Sequence, residues 1–182
     1  MNIESVFQLV SRQLAEAGVD GLLIGGFAVN FYGYTRNTLD VDFMIVAEDA
    51  ETVRRVMTTA GLSNVVIEDH VAFFSDPDSS LRVDFLNVDS LTMNHLMANA
   101  IPARVAGCDL HVPALKDLLA MKIHSLATDS VRRAGKDLPD IAYLSVLHHL
   151  DIEEDLAPIC ARYGNPDVFK MIQTQIAALR KP

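Results

Sequence analysis

Apolar residues recur at helical spacing at the start of the chain. Ile3, Phe7, Val10 and Leu14 fall on one face, and Gly18 ends the run. The short apolar stretch 21–24 reads as a buried strand entering a tight turn at Gly25-Gly26. Residues 27–32 read as a short helix closed by Gly33. Between 39 and 46 the period changes to two: Val41, Phe43 and Ile45 alternate with Asp40, Asp42 and Met44, as in a strand. Asp49 is placed to cap a helix over 50–60 that Gly61 closes. Two strands are expected over 65–67 and 71–74, then a turn cluster, Asp76-Pro77-Asp78-Ser79-Ser80. A further alternating strand over 81–88 puts Arg82 and Asp84 on one face.

Beyond residue 100 the pattern turns helical. Residues 104–112 make at most a short strand pair. Pro113 opens a helix running to 128, and 129–136 reads as a polar, basic loop. Helices then start at Asp137, Asp151 and Pro166, the last with Asn165 as its cap. The pattern predicts a mixed α/β (α+β) layer over residues 1–112, followed by a helical segment, 113–182, packed on that core.

Composition narrows the function classes. Half of the 182 residues are hydrophobic and 21% are charged, so the chain can bury a core. A net charge of −9 argues against a surface that holds long nucleic acid by neutralising phosphates. It leaves room for a local basic pocket. Cys108 and Cys160 show no CxxC or Cys/His pairing and read as reduced, buried thiols. The six histidines show no metal-ligand spacing, and His148-His149 falls on two helix faces. Residues 1–13 carry charge without a signal-peptide core, and no apolar run approaches the ~20 residues of a membrane span. A soluble, cytoplasmic protein with no membrane association is expected.

The chemistry concentrates near residue 40. Asp40 and Asp42, two apart on a strand, share one face with Cα atoms about 6.6 Å apart. Two carboxylates so placed repel each other and converge on hard cations such as Mg²⁺. Asp84 is the one well-placed third acid for phosphoryl chemistry, although Arg82 beside it can neutralise it. A lone DxD is commonly a solvated strand face. Gly25-Gly26 adds weight, because two glycines between an apolar strand and a helix let backbone N–H groups approach a phosphate.

Two blocks carry a family resemblance. Ile24-Gly25-Gly26-Phe27-Ala28 followed by Gly33-Tyr34-Thr35-Arg36-Asn37-Thr38-Leu39-Asp40-Val41-Asp42 resembles the polymerase-β-type nucleotidyltransferase superfamily, and within it the bacterial AbiEii-like and small toxin-type enzymes. Leu118-Leu119-Ala120-Met121-Lys122-Ile123-His124, then Arg132-Arg133-Ala134-Gly135-Lys136-Asp137-Leu138-Pro139-Asp140-Ile141, is similar to that group's helical lysine and its (Arg/Lys)-Asp-x-x-Asp segment. The first block is specific; the second is looser. The resemblance implies a nucleotidyltransferase fold and Mg²⁺-dependent (or Mn²⁺-dependent) transfer of a nucleotidyl group from an NTP. The acceptor stays open: RNA such as tRNA, protein, or a small molecule. A toxin–antitoxin context, with an antitoxin partner, is implied as well.

On this reading Asp40 and Asp42 hold the ions, and Asp84 orients or deprotonates the acceptor. Gly25, Gly26, Arg36, Thr38, Lys122 and Lys136 contact the nucleotide. Arg36 can equally pair with the carboxylates, and Asp137 reads more simply as a helix cap than as catalytic. Lys122 flanks an apolar helix face, so it is expected to reach the aspartates; Lys122→Ala would weaken NTP binding and leave the melting temperature nearly unchanged. A solvent-facing pair with Asp129 is the plainer alternative. The rival functions are an inactive nucleotidyltransferase-fold binding module acting through protein contacts, and a phosphohydrolase using the same carboxylates with water.

Overall fold

The computed structural model describes residues 3–68, 70–76 and 81–181. The chain divides into two compact units: Met1–Phe31 with Arg36–Ala114, and Tyr32–Thr35 with Leu115–Pro182.

In the first unit, α1 (Ile3–Ala17) buries Val6, Phe7, Val10 and Leu14, and Gly18 ends it at φ 67°. β1 is only Leu22–Leu23, shorter than the apolar run suggests. α2 (Gly25–Phe31) begins at the glycine pair, so Gly25 and Gly26 form the helix's first turn instead of preceding it. β2 (Asp40–Val46) buries Val41, Phe43 and Ile45 as the alternation requires; Met44 is buried too, so both faces of this strand are covered. A 3₁₀ turn, Ala47–Asp49, leads into α3 (Ala50–Thr59), and the Asp49 side chain makes no capping hydrogen bond. β3 (Ser63–Glu68), β4 (Val71–Ser75) and β5 (Arg82–Val88) follow; the turn expected at 76–80 lies outside the described residues beyond Asp76. α4 (Ser90–Asn99), β6 (Ile101–Val105) and β7 (Cys108–Val112) complete the unit.

The seven strands form one mixed sheet in the order β3-β4-β5-β2-β1-β7-β6. β2 lies centrally, parallel to β5 and antiparallel to β1. An aromatic stack crosses the sheet on the face away from the acids: Phe43 stacks on Phe85 at 5.8 Å, and Phe74 meets Phe85 edge-on at 5.7 Å. Phe7 reaches this cluster from α1, 6.5 Å from Phe43. Fully buried aromatics of this size dominate core energetics and fix the register of β2 against β5.

The second unit is helical: α5 (Leu115–Thr128), α6 (Ser130–Arg133), α7 (Asp137–Leu147), a π-helical turn (Ile152–Leu156), α8 (Ala157–Tyr163) and α9 (Pro166–Leu179). Asn165 caps α9 by accepting from Val168 N–H at 2.9 Å. The basic loop at 129–136 contains α6, because the Asp129 carboxylate accepts from Arg132 N–H and starts a turn of helix. His148 stands at the end of α7 and His149 beyond it at φ 55°, so the pair marks a helix end and not two faces of a helix. His148 Nε2–H donates to the Tyr32 carbonyl at 2.8 Å, and Tyr34 stacks on Tyr143 with centroids 4.4 Å apart. These contacts explain why Tyr32–Thr35 belongs to this unit. Both cysteines are free thiols; Cys160 is buried, but Cys108 is only partly so. Among the described residues no helix is long and apolar enough to cross a membrane.

Candidate active site

The parallel pairing of β2 and β5 sets Asp40 opposite Arg82 and Asp42 opposite Asp84. β4, antiparallel to β5, sets Phe73 opposite Asp84. Because side chains alternate along each strand, these acids, the arginine and Phe73 share one sheet face. Arg82 is the centre of the group. Its Nη2–H donates to Asp84 Oδ2 at 2.9 Å and lies 3.3 Å from Asp40 Oδ2. Its Nε is 2.8 Å from Asp84 Oδ1, but the N–H is not aligned on that oxygen, so this contact is an ion pair without a hydrogen bond. The guanidinium also lies over the Phe73 ring, 5.2 Å from its centroid.

Burial pushes the Asp84 carboxyl up to about 6, the hydrogen bond and charge of Arg82 pull the other way, and Asp42 and Asp40 add repulsion that reinforces burial.

The glycine pair closes one side of this group. Gly25 has φ 63°, and a Cβ there would come within 2.5 Å of the Asp42 carboxyl carbon. A Cβ on Gly26 would come 2.7 Å from Thr38 Oγ1. Ile24 N–H donates to the Asp42 carbonyl at 2.9 Å, which ties the strand end to β2. Backbone here approaches the acidic strand as closely as it does because neither residue has a side chain. The first N–H groups of any helix lack intrahelical partners, and the glycine pair stands at that end of α2, with Gly25 against Asp42 and Gly26 against Thr38.

Sequence reasoning missed Asn30. Its Nδ2–H donates to the Arg36 carbonyl, and its Oδ1 accepts from Arg36 N–H, both at 3.0 Å. This two-point clamp holds the segment entering β2. Thr38 Oγ1–H donates to the Asp40 carbonyl at 3.2 Å. Nothing in the polar pattern around Asn30 marks it, since its partner is backbone.

Lys122 is not the solvent-facing lysine of the plainer expectation. It is buried, with Nζ 2.6 Å from Asp140 Oδ2 and 3.0 Å from Asp137 Oδ1, and neither acid is more than 5% exposed. Arg133 Nη1 stands 3.8 Å from Asp137 Oδ2. Asp137 therefore is not the cap of α7; Lys136 holds that position, without a side-chain capping bond. The ammonium is committed to two buried carboxylates, which it bridges. It does not pair with Asp129, which caps α6 instead.

Among the described residues, no group of three or more His, Cys, Asp or Glu side chains is disposed to hold a metal ion. Asp40 and Asp84 meet on Arg82 instead. The donor chemistry nevertheless suits a hard cation. It is oxygen only, two carboxylates come from one strand face, and the cluster already draws a positive group onto itself. Mg²⁺ is commonly held by one or two carboxylates plus substrate phosphates, which requires no third protein ligand.

The model of the family described as "Nucleotidyl transferase AbiEii toxin, Type IV TA system" matches residues 9–180. The chain belongs to the AbiEii nucleotidyltransferase family. No curated protein sequence matches this family member significantly. Solved structures extend the likeness of fold. The antibiotic-resistance factor ANT(2″)-Ia, in complex with adenylyl-2″-tobramycin, is 12% identical, with a TM-score of 0.61 over 97% of this chain and 98% of that one. An antigenic nucleotidyltransferase-like protein from Paracoccidioides brasiliensis is 17% identical, with a TM-score of 0.58 over 93% and 91%. The lincosamide antibiotic adenylyltransferase LnuA, solved with lincomycin bound, is 13% identical, with a TM-score of 0.58 over 81% and 98%. At such identities the likeness is one of fold, and the AbiEii-family chain shares the nucleotidyltransferase architecture with all three.

Proposed function

We propose that this chain transfers a nucleotidyl group from an NTP to an acceptor hydroxyl with the help of a divalent cation, Mg²⁺ or Mn²⁺. The observation that carries the reading is the register of β2 on β5, which gathers Asp40, Asp42 and Asp84 on one face with the Gly25 backbone against Asp42. Asp40 and Asp42 would hold the ion, which supplies positive charge to the phosphates. Gly25 and Gly26 would offer backbone N–H groups to the triphosphate, and Arg36 and Thr38, on the segment that Asn30 clamps, would border it. Asp84, with its pKa near neutrality, is suited to take the proton of the acceptor hydroxyl. The hydroxyl oxygen bonds to the α-phosphorus, the bond to the bridging oxygen breaks, and pyrophosphate leaves while the proton passes to the Asp84 carboxylate. The nucleotide contact expected of Lys122 would have to be made by an ammonium that also pairs with Asp137 and Asp140.

Two finer points belong to the same proposal. The family description supports a toxin role, and with it an antitoxin partner. ANT(2″)-Ia and LnuA act on small antibiotics, which makes a small hydroxyl compound as reasonable an acceptor as tRNA or protein; the net charge of −9 weighs against a long RNA held by its phosphates. The rival reading, an inactive binding module, draws on one observation: Arg82 neutralises Asp40 and Asp84.

The test is label transfer. The protein is incubated with each α-labelled NTP, Mg²⁺ and a cell extract, in parallel with Asp40→Asn. Label should move onto one class of molecule with the wild type only. Absence of transfer with every NTP, together with no Mg²⁺-NTP thermal shift, would favour the binding module.

A further inference from the structure

We infer that Arg82 is the resident counter-cation of the carboxylate cluster, and that a divalent ion engages Asp40 and Asp42 only as the guanidinium leaves Asp40, so that Arg82 sets the ion affinity of the site. The inference rests on the reading of Asp40 and Asp42 as ion ligands, and extends it to a residue that reading leaves without a role.

Four observations carry it. First, one guanidinium bridges two strands, reaching Asp84 by two contacts at 2.8 and 2.9 Å and Asp40 by one at 3.3 Å. The Asp40 contact is the longer and is not matched by a second, so it is the weaker end of the bridge. Second, the bridge is unevenly buried. The Asp84 side chain is 12% exposed, Asp40 32% and Arg82 45%. The end that must open is the wet end, and an arginine nearly half in water can swing without unpacking the core. Third, Arg82 has a second resting place beside it. Phe73 stands opposite Asp84 on β4, and its ring already lies 5.2 Å under the guanidinium. A cation over an aromatic face keeps favourable electrostatics while giving up one carboxylate. Fourth, among the described residues no group of three acids is disposed to hold an ion, and the Arg82 guanidinium stands 3.3 Å from Asp40 Oδ2. Clustered carboxylates repel one another, and a positive group between them relieves that repulsion. Arg82 supplies that group now, and a divalent ion of twice the charge competes for the same oxygen atom.

A purely structural role for Arg82, stitching β5 to β2, makes a different prediction. Removing it would then loosen the β2–β5 pairing and lower ion affinity or leave it unchanged. Displacement predicts the opposite sign: removing Arg82 frees Asp40 and raises ion affinity.

The experiment measures Mn²⁺ binding to the nucleotide-free full chain by the loss of the free-ion EPR signal. Wild type, Arg82→Gln, Arg82→Lys and Asp42→Asn are compared. Arg82→Gln should bind Mn²⁺ about tenfold more tightly than wild type, a difference readily resolved in a titration. Arg82→Lys keeps the charge but loses the planar fork, and should fall between the two. Asp42→Asn should bind weakly. In parallel, Mg²⁺ is titrated into ¹⁵N-labelled wild type while the Arg82 Nε–H resonance is followed, assigned by its loss in Arg82→Lys. That resonance should move as Asp40 is vacated, and this arm needs no variant to be stable. Equal Mn²⁺ affinity in wild type and both Arg82 variants, or an Arg82 resonance that stays still while Asp42-dependent binding saturates, overturns the displacement and leaves the ion site standing. Mn²⁺ binding that is indifferent to Asp42→Asn overturns the ion-site reading itself, and the displacement with it.

Discussion

At the residue scale the acidic cluster is governed by close approach and by burial. Gly25 is held in a left-handed conformation, and an added methyl would meet the Asp42 carboxyl, so Gly25→Ala incurs two penalties at once. The expected loss is about 1–3 kcal/mol. Gly135→Ala is the matched control, since no heavy atom lies within 4 Å of its added Cβ and its φ is not positive. Chemical denaturation of the two variants should separate them; equal midpoints would mean the Gly25 turn relaxes freely. Asp84 adds a pH dependence. Its carboxyl is raised from 3.8 to about 6, chiefly by desolvation, with Arg82 opposing and Asp42 and Asp40 reinforcing. The folded state therefore takes up this proton more readily than the unfolded chain. The stabilisation it brings is complete below the unfolded value near 3.8 and is lost as pH rises through about 6. A shift of that size corresponds to about 3 kcal/mol between the two ends of the window. Asp84→Asn should flatten the stability profile between those limits, and a ¹³C carboxyl titration of the wild type should show Asp84 with its midpoint near 6. A midpoint in the ordinary aspartate range would remove both the profile and the case for Asp84 as a base at neutral pH.

At the element scale, what could be read from the sequence follows from periodicity. β2 and β5 declare themselves by alternation, and their acids fall on one face because a strand allows nothing else. α9 declares itself by Asn165-Pro166, a cap followed by the residue best suited to the first turn. α4 gives no such signal. Its buried residues are Met93 and Leu96 alone, while Leu91 is 81% exposed, so no apolar stripe marks it; only Asp89, accepting from the Thr92 N–H at 2.8 Å, betrays its start. Lys122 shows a different limit. The spacing of α5 locates the lysine at the edge of an apolar face, but the two acids that receive it come from α7, and contacts of that separation leave no periodic trace. Burial reverses the expected phenotype. Lys122→Ala takes from Asp137 and Asp140 the buried cation they share, with only Arg133 left 3.8 Å from Asp137, and the expected destabilisation is about 3–5 kcal/mol. Lys122→Ala combined with Asp137→Asn and Asp140→Asn should recover part of that loss, since the uncompensated charges are gone. A melting temperature unchanged in Lys122→Ala would return the residue to the role expected from sequence.

At the scale of the whole molecule, the sequence suggests a single boundary near residue 112, whereas the two units are threaded. The helical unit takes four residues, Tyr32–Thr35, from the middle of the other unit's chain. The segment is held there by Tyr34 stacked on Tyr143 and by the His148 Nε2–H bond to the Tyr32 carbonyl. It runs directly into Arg36, whose backbone Asn30 clamps from the sheet unit on the way to Asp40. Neither unit is therefore obtained whole by cutting the chain at one point. This gives a prediction about order rather than stability. A stacked aromatic pair contributes about 0.5–1.5 kcal/mol beyond the area it buries, enough to change local opening without unfolding a unit. In Tyr143→Ala, amide hydrogen exchange over residues 33–35 should accelerate about tenfold, as the loss of roughly 1.4 kcal/mol of local stability requires. Exchange over β2 and β5, whose core is the Phe43–Phe85 stack, should stay unchanged. A truncated chain ending at residue 114 carries the same segment with none of its partners, and should exchange there faster still. If residues 33–35 exchange at the same rate in wild type, variant and truncation, the segment draws its order from its own unit of sequence, and the threading has no energetic meaning.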